Sequence, residues 1–171
     1  MDKPLILIIE DEPEMASFIA DKIRETGRYE TAVAHSAKEG FELLDKHKRL
    51  LGLADNQVKC IVLDIKMPEM DGLEFLKEWR QKESFTTLMP VIILTAYEDI
   101  DKWTKATAPG MGMAAAYLKK PVNGKELIDT IDKCLFGEEI GNMIEDTRKK
   151  KYDKIKELEK TDKKEDASEN K

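Results

Sequence analysis

Four places in this 171-residue chain put reactive side chains directly after an apolar run. Glu10-Asp11-Glu12 follows Leu5–Ile9, Asp64 follows Cys60-Ile61-Val62-Leu63, Thr95 follows Val91-Ile92-Ile93-Leu94, and Lys119-Lys120-Pro121 follows Ala115–Leu118. Carboxylates brought together repel and raise one another's pKa unless a cation sits among them. Mg2+ suits such a group, since it prefers hard oxygen ligands, keeps several waters and commonly combines one or two carboxylates with phosphate oxygens. A crevice lined by these acids, a hydroxyl and an ammonium would recruit a phosphoryl group.

The elements that must position them are legible in the hydropathy pattern. The runs Leu5–Ile9, Cys60–Leu63 and Val91–Leu94 are continuous rather than alternating, as in strands buried on both faces of a parallel sheet. Between them lie amphipathic stretches. Met15, Phe18, Ile19 and Ile23 fall at helical spacing, with Pro13 in the first turn and Gly27 as a stop. Ser36 and Glu39 form a capping-box pattern at the head of 37–50, and Asn123 and Glu126 repeat it before Leu127, Ile128, Ile131 and Leu135. A helix follows Asp71-Gly72 with Leu73, Leu76 and Trp79 on one side, and another is expected over 98–108, ending at Pro109-Gly110. The count is five strands alternating with five helices, an α/β fold whose ligands gather at the carboxyl ends of the strands.

Composition narrows the function. Net charge is −6, from 29 basic against 35 acidic side chains, which argues against nucleic acid as the main partner. No stretch approaches the roughly 20 apolar residues of a membrane span, and no basic-then-apolar leader opens the chain. With only two cysteines, Cys60 and Cys134, the chain reads as a reduced, cytoplasmic protein. Residues 137–171 hold 10 basic and 11 acidic side chains, so they cannot build a core and are expected to be a charged extension, partly helical or disordered, with no output domain.

Taken in order, the four motifs resemble the receiver domain of two-component response regulators over about residues 3–136, which implies a receiver domain at 1–136. The segment Val62-Leu63-Asp64-Ile65-Lys66-Met67-Pro68-Glu69-Met70-Asp71-Gly72 is similar to the family's phosphoacceptor segment, Glu10-Asp11 to its metal-binding doublet, Leu94-Thr95-Ala96 and Tyr117-Leu118-Lys119-Lys120-Pro121 to the rest of its signature. The resemblance implies a flavodoxin-like (βα)5 fold with a five-stranded parallel sheet of order 2-1-3-4-5 and helices on both faces. It implies Asp64 as phosphoacceptor, with Thr95 and Lys120 contacting the phosphoryl group. Mg2+ would be held by Glu10, Asp11, Asp64 and the backbone carbonyl of Lys66. Thr95 and Tyr117 would form the switch, Lys120-Pro121 would be cis, and the readout would be the surface of the fourth helix, fifth strand and fifth helix. The expected partners are a sensor histidine kinase or phosphotransfer protein and a downstream protein, with the receiver a monomer or weak dimer through that surface, and not itself an enzyme.

Plainer readings compete at single positions. The Glu10-Asp11-Glu12 run also suits a helix N-terminus, Tyr117 also suits a packed strand aromatic, and Lys119 is an alternative to Lys120. His35 and His47 read as surface residues, and Trp79 as packing. Glu10 stands where the family more often has Asp, and Lys66 and Tyr97 occupy positions that influence how water reaches the acyl phosphate. An aspartyl-nucleophile phosphatase resembles Asp-x-Asp, whereas Lys66 stands two residues beyond Asp64. A pseudo-receiver adaptor is the remaining alternative, and a flavin domain is disfavoured by the acidic strand ends.

Overall fold

Residues 3–47, 57–83, 89–96 and 115–137 are described in a computed structural model of the chain. They form strands β1 (Leu5–Ile9), β2 (Glu30–Ala34), β3 (Val58–Asp64), β4 (Val91–Thr95) and β5 (Ala116–Lys119). Helices are α1 (Pro13–Glu25), α2 (Ala37–Lys46), α3 (Gly72–Lys82) and, numbered here among the described elements, α4 (Gly124–Phe136). The strands make one parallel sheet in the order β2-β1-β3-β4-β5. This is the fold expected from the sequence.

Every residue of β1 and β4 is buried, because helices cover both faces. Leu7 and Ile9 of β1, Ile61 and Leu63 of β3, and Ile93 of β4 pack with Leu44, Phe75, Leu76 and Trp79 under α2 and α3. The alternate residues Ile6, Ile8, Val62, Ile92 and Leu94 pack with Ile19, Ile23, Leu127, Ile131 and Cys134 under α1 and α4. Burying each such Ile or Leu contributes about 1.5–3 kcal/mol, so the three central strands form a rigid floor. Both cysteines are buried and free.

Helix starts are well specified. Pro13 opens α1; the Ser36 hydroxyl accepts from Glu39 N–H, and the Asn123 side chain accepts from Lys125 and Glu126 N–H. Asp71 and Glu74 form a reciprocal capping box at α3.

Some expectations are corrected. Phe18 is exposed on α1, whose buried stripe runs through Ala16, Ile19, Ala20 and Ile23, one position round from the stripe read in the sequence. Small alanines let α1 lie close to the sheet, and Phe18 turns outward beside Lys22. Helix α2 stops at Lys46, since His47 leaves helical geometry and its ring meets the Gln57 side chain at 3.0 Å. On α3, Phe75 and Arg80 join the buried face. The expected helix over 98–108, Tyr97, residues 48–50 and the extension 138–171 lie outside the described residues. Among those described, no helix is long and apolar enough to cross a membrane.

Candidate functional site

Parallel register brings the carboxyl ends of the strands level. Ile9 pairs with Leu63, so Glu10 and Asp64 emerge side by side; Asp64 pairs with Leu94, and Thr95 with Lys119. The ladder continues one step further at two seams: Glu10 N–H donates to Ala34 O (3.0 Å) and Lys120 N–H to Thr95 O (2.9 Å). The chain therefore delivers Glu10, Asp64, Thr95 and Lys120 from four different strands to one edge.

The side chains meet there. Carboxylate oxygens of Glu10, Asp11 and Asp64 all lie within 4.8 Å of one another. Lys120 Nζ sits 2.8 Å from Glu10 Oε2 and 3.0 Å from Asp64 Oδ1. Glu10 and Asp64 are only 1% and 4% exposed, so their charges are largely cut off from water. The Lys120-Pro121 bond is cis, as the resemblance implied.

Burial pushes the Glu10 carboxyl above its ordinary range, the Lys120 hydrogen bond pulls it back, and the neighbouring Asp64 charge raises it again. Burial also works against the Lys120 ammonium, but hydrogen bonds to Glu10 and Asp64 outweigh it and hold the lysine more basic than usual. Two buried carboxylates, Glu10 and Asp64, thus share one ammonium, with the Asp11 carboxylate beside them. The donor set is all hard oxygen with excess negative charge, which fits a divalent ion such as Mg2+.

The loop after β3 is built around a close approach. A Cβ placed on Gly72 would lie 2.1 Å from Asp64 O and 2.9 Å from Ile65 Cα, so only glycine lets the start of α3 rest on the strand end that carries Asp64. Gly72 N–H donates to Ile65 O (2.9 Å), which closes the loop. Within it Glu69 takes a positive φ of 66°.

Of the residues singled out in the sequence, Glu10, Asp11, Asp64 and Lys120 converge directly. Between the two lysines, Lys120 makes the contact with Asp64, and Lys119 is an exposed residue at the end of β5. Thr95 is buried on β4, its hydroxyl donating to Ala96 O (3.1 Å). Tyr117 is half-buried and packs against the core under α2 and α3. Lys66 is exposed in the loop. His35 is exposed, as read from the sequence, and its ring Nδ1 also lies 3.1 Å from the Glu10 carbonyl. Nothing in the local sequence marks that contact, because the partners are 25 residues apart.

A parallel five-stranded sheet with this acidic edge defines a receiver fold. Residues 6–132 match the response regulator receiver domain family, and the chain belongs to it. It is 32% identical over 127 residues to the transcriptional regulatory protein PdtaR of Mycobacterium tuberculosis, covering 74% of this chain and 54% of that protein. It is 34% identical over 131 residues to an uncharacterized 14.6 kDa protein of Leptolyngbya boryana, covering 76% of this chain and 89% of the relative. Among solved structures it is similar to a response regulator receiver domain protein from Clostridium thermocellum, with 27% identity, a TM-score of 0.61 and coverage of 84% and 96% of the two chains. The chain spans about a quarter to a half of the length of several transcriptional regulators it matches. Receiver domains of this kind are modules of two-component signalling.

Proposed function

We propose that the chain is a phosphorylatable receiver, in which Asp64 accepts a phosphoryl group from a phosphohistidine on a sensor histidine kinase or phosphotransfer protein. The observation that carries the reading is the meeting of Asp64 with Glu10, Asp11 and the Lys120 ammonium at one buried sheet edge.

An Asp64 carboxylate oxygen attacks phosphorus in line. The P–N bond to the donor imidazole breaks, its electron pair returns to that ring, and an acyl phosphate forms on Asp64. Glu10, Asp11, Asp64 and the backbone carbonyl of Lys66 would hold Mg2+, which supplies charge neutralisation for the phosphoryl oxygens. Lys120, already between Glu10 and Asp64, is placed to pair with a phosphoryl oxygen as a compact point charge. Thr95 would exchange its bond to Ala96 O for one to the phosphoryl group, and Tyr117 would move into the space vacated. The altered surface, formed by residues 98–108, β5 and α4, would then bind a downstream protein in the cytoplasm, the receiver acting as a monomer or weak dimer. Residues 1–136 would constitute this unit and 137–171 a charged extension. Intact Asp64, Thr95 and Lys120 favour this over the pseudo-receiver adaptor.

Incubation with acetyl phosphate and Mg2+ tests the proposal by intact mass. The expected result is a gain of one phosphoryl group by the full chain and none by Asp64→Asn. An unmodified wild-type chain under those conditions contradicts it.

A further inference from the structure

We infer that His35 is a positioning residue for the acidic site, its ring holding the Glu10 carbonyl so that the Glu10 and Asp11 carboxylates keep their aim. The inference rests on the reading of Glu10 and Asp11 as acids of the metal site.

Both backbone groups of Glu10 are held by the last residue of β2 and the residue that follows it. Its N–H donates to Ala34 O at 3.0 Å, and its carbonyl faces His35 Nδ1 at 3.1 Å. A carbonyl oxygen can only accept, so Nδ1 must carry the proton, which fixes the ring's state as the Nδ1–H tautomer or the imidazolium. The Glu10 carbonyl shares a rigid peptide plane with the Asp11 N–H. One hydrogen bond therefore sets the orientation of the link between the two acids. Without it, Glu10 would be tied at its N–H and at its carboxylate, where Lys120 sits 2.8 Å away, but the peptide leading into Asp11 would lose its anchor.

The histidine is itself held at its root. His35 N–H donates to Glu39 Oε2 at 2.7 Å, while Glu39 N–H donates to Ser36 Oγ at 3.2 Å. In a regular capping box the glutamate would reach back to the N-cap residue, here Ser36. Instead it reaches one residue further and fastens His35. The cap of α2 thus does a second task, anchoring the residue that braces the acidic pair. Outer partners of this kind commonly orient metal-site groups as strongly as the ligands themselves define them.

The test compares the full wild-type chain with His35→Ala and His35→Asn, since an asparagine amide can present a donor where Nδ1 lies. Mg2+ alone is titrated and followed by the amide resonances of Glu10, Asp11 and Asp64, with metal-free melting recorded in parallel. His35→Ala is expected to bind Mg2+ about tenfold more weakly and His35→Asn to recover most of the affinity, with metal-free melting alike in the two variants. Wild-type affinity in His35→Ala overturns the inference, as does an Asn variant no better than Ala. A wild-type chain whose resonances ignore Mg2+ overturns the underlying reading of the acids, and this one with it.

Discussion

In the proposed function Asp64 is the residue on which the chemistry turns, and its place depends on a neighbour with no side chain. Gly72 lies so close to the Asp64 carbonyl that a methyl group there would sit 2.1 Å from it. Glycine to alanine near a helix start ordinarily stabilises slightly; here overpacking should reverse the sign. Gly72→Ala is expected to lower stability by about 2 kcal/mol, read from urea unfolding, and to slow phosphoryl uptake. A variant as stable as wild type would show that the loop yields without moving the strand end. At this scale the sequence was informative about reactive groups and silent about their supports. Acids and a lysine at strand ends are visible as residue types, and parallel register makes their meeting computable from strand ends alone. The brace from His35 and the clearance at Gly72 depend on contacts between segments, which residue type does not encode.

Elements carry the site only if the sheet and helices hold their register, and a polar clamp ties α4 to the turn between α1 and β2. Arg28 pairs with both oxygens of Asp132 on α4, at 2.8 and 3.0 Å, and the Tyr29 hydroxyl donates to the same carboxylate. Burial alone would raise the Asp132 pKa, but the hydrogen bonds from Arg28 and Tyr29 outweigh it, and the folded-state pKa falls below the ordinary 3.8. A carboxyl depressed on folding adds stability that is present above its unfolded pKa and lost as pH falls through the folded one. Asp132→Asn should therefore unfold at lower urea than wild type at pH 7, with the two converging below about pH 4. A gap that stays constant with pH would remove the charge from the explanation. The strands were readable because burial on both faces writes continuous apolar runs. Helix faces were less so: on α1 the small residues Ala16 and Ala20 seat the helix, and a periodicity count weighted toward large side chains turned Phe18 inward. The end of α2 was overrun because apolar Leu50 extends the pattern beyond the His47–Gln57 contact that closes it.

Across the whole molecule, the proposed signal must travel from Asp64 at the end of β3 across the one intervening strand, β4, to β5. On that proposal Thr95 is the hinge of the path. Its hydroxyl is engaged with Ala96 O, and Tyr117 is half-buried on the neighbouring strand. Thr95→Val is expected to take up the phosphoryl group while losing the response of Tyr117, seen as phosphorylation-dependent shifts of β5 amides present in wild type and absent in the variant. Equal shifts in both would place the switch elsewhere. Residues 98–108, where the resemblance implies the rest of the output surface, and the charged extension 138–171 lie outside the described residues. The family assignment came through a different route from either: four short motifs, each weak alone, fall in one order at four strand ends.

In the proposed function the phosphoryl group is carried by Asp64. Treating the full chain with acetyl phosphate and Mg2+, then reducing with borohydride, converts an aspartyl phosphate to homoserine that peptide mass mapping can locate. Homoserine at position 64 alone, and only when Mg2+ is supplied, is the predicted result. Reduction at Asp11 or another acid, or no reduction anywhere in a folded chain, would contradict it.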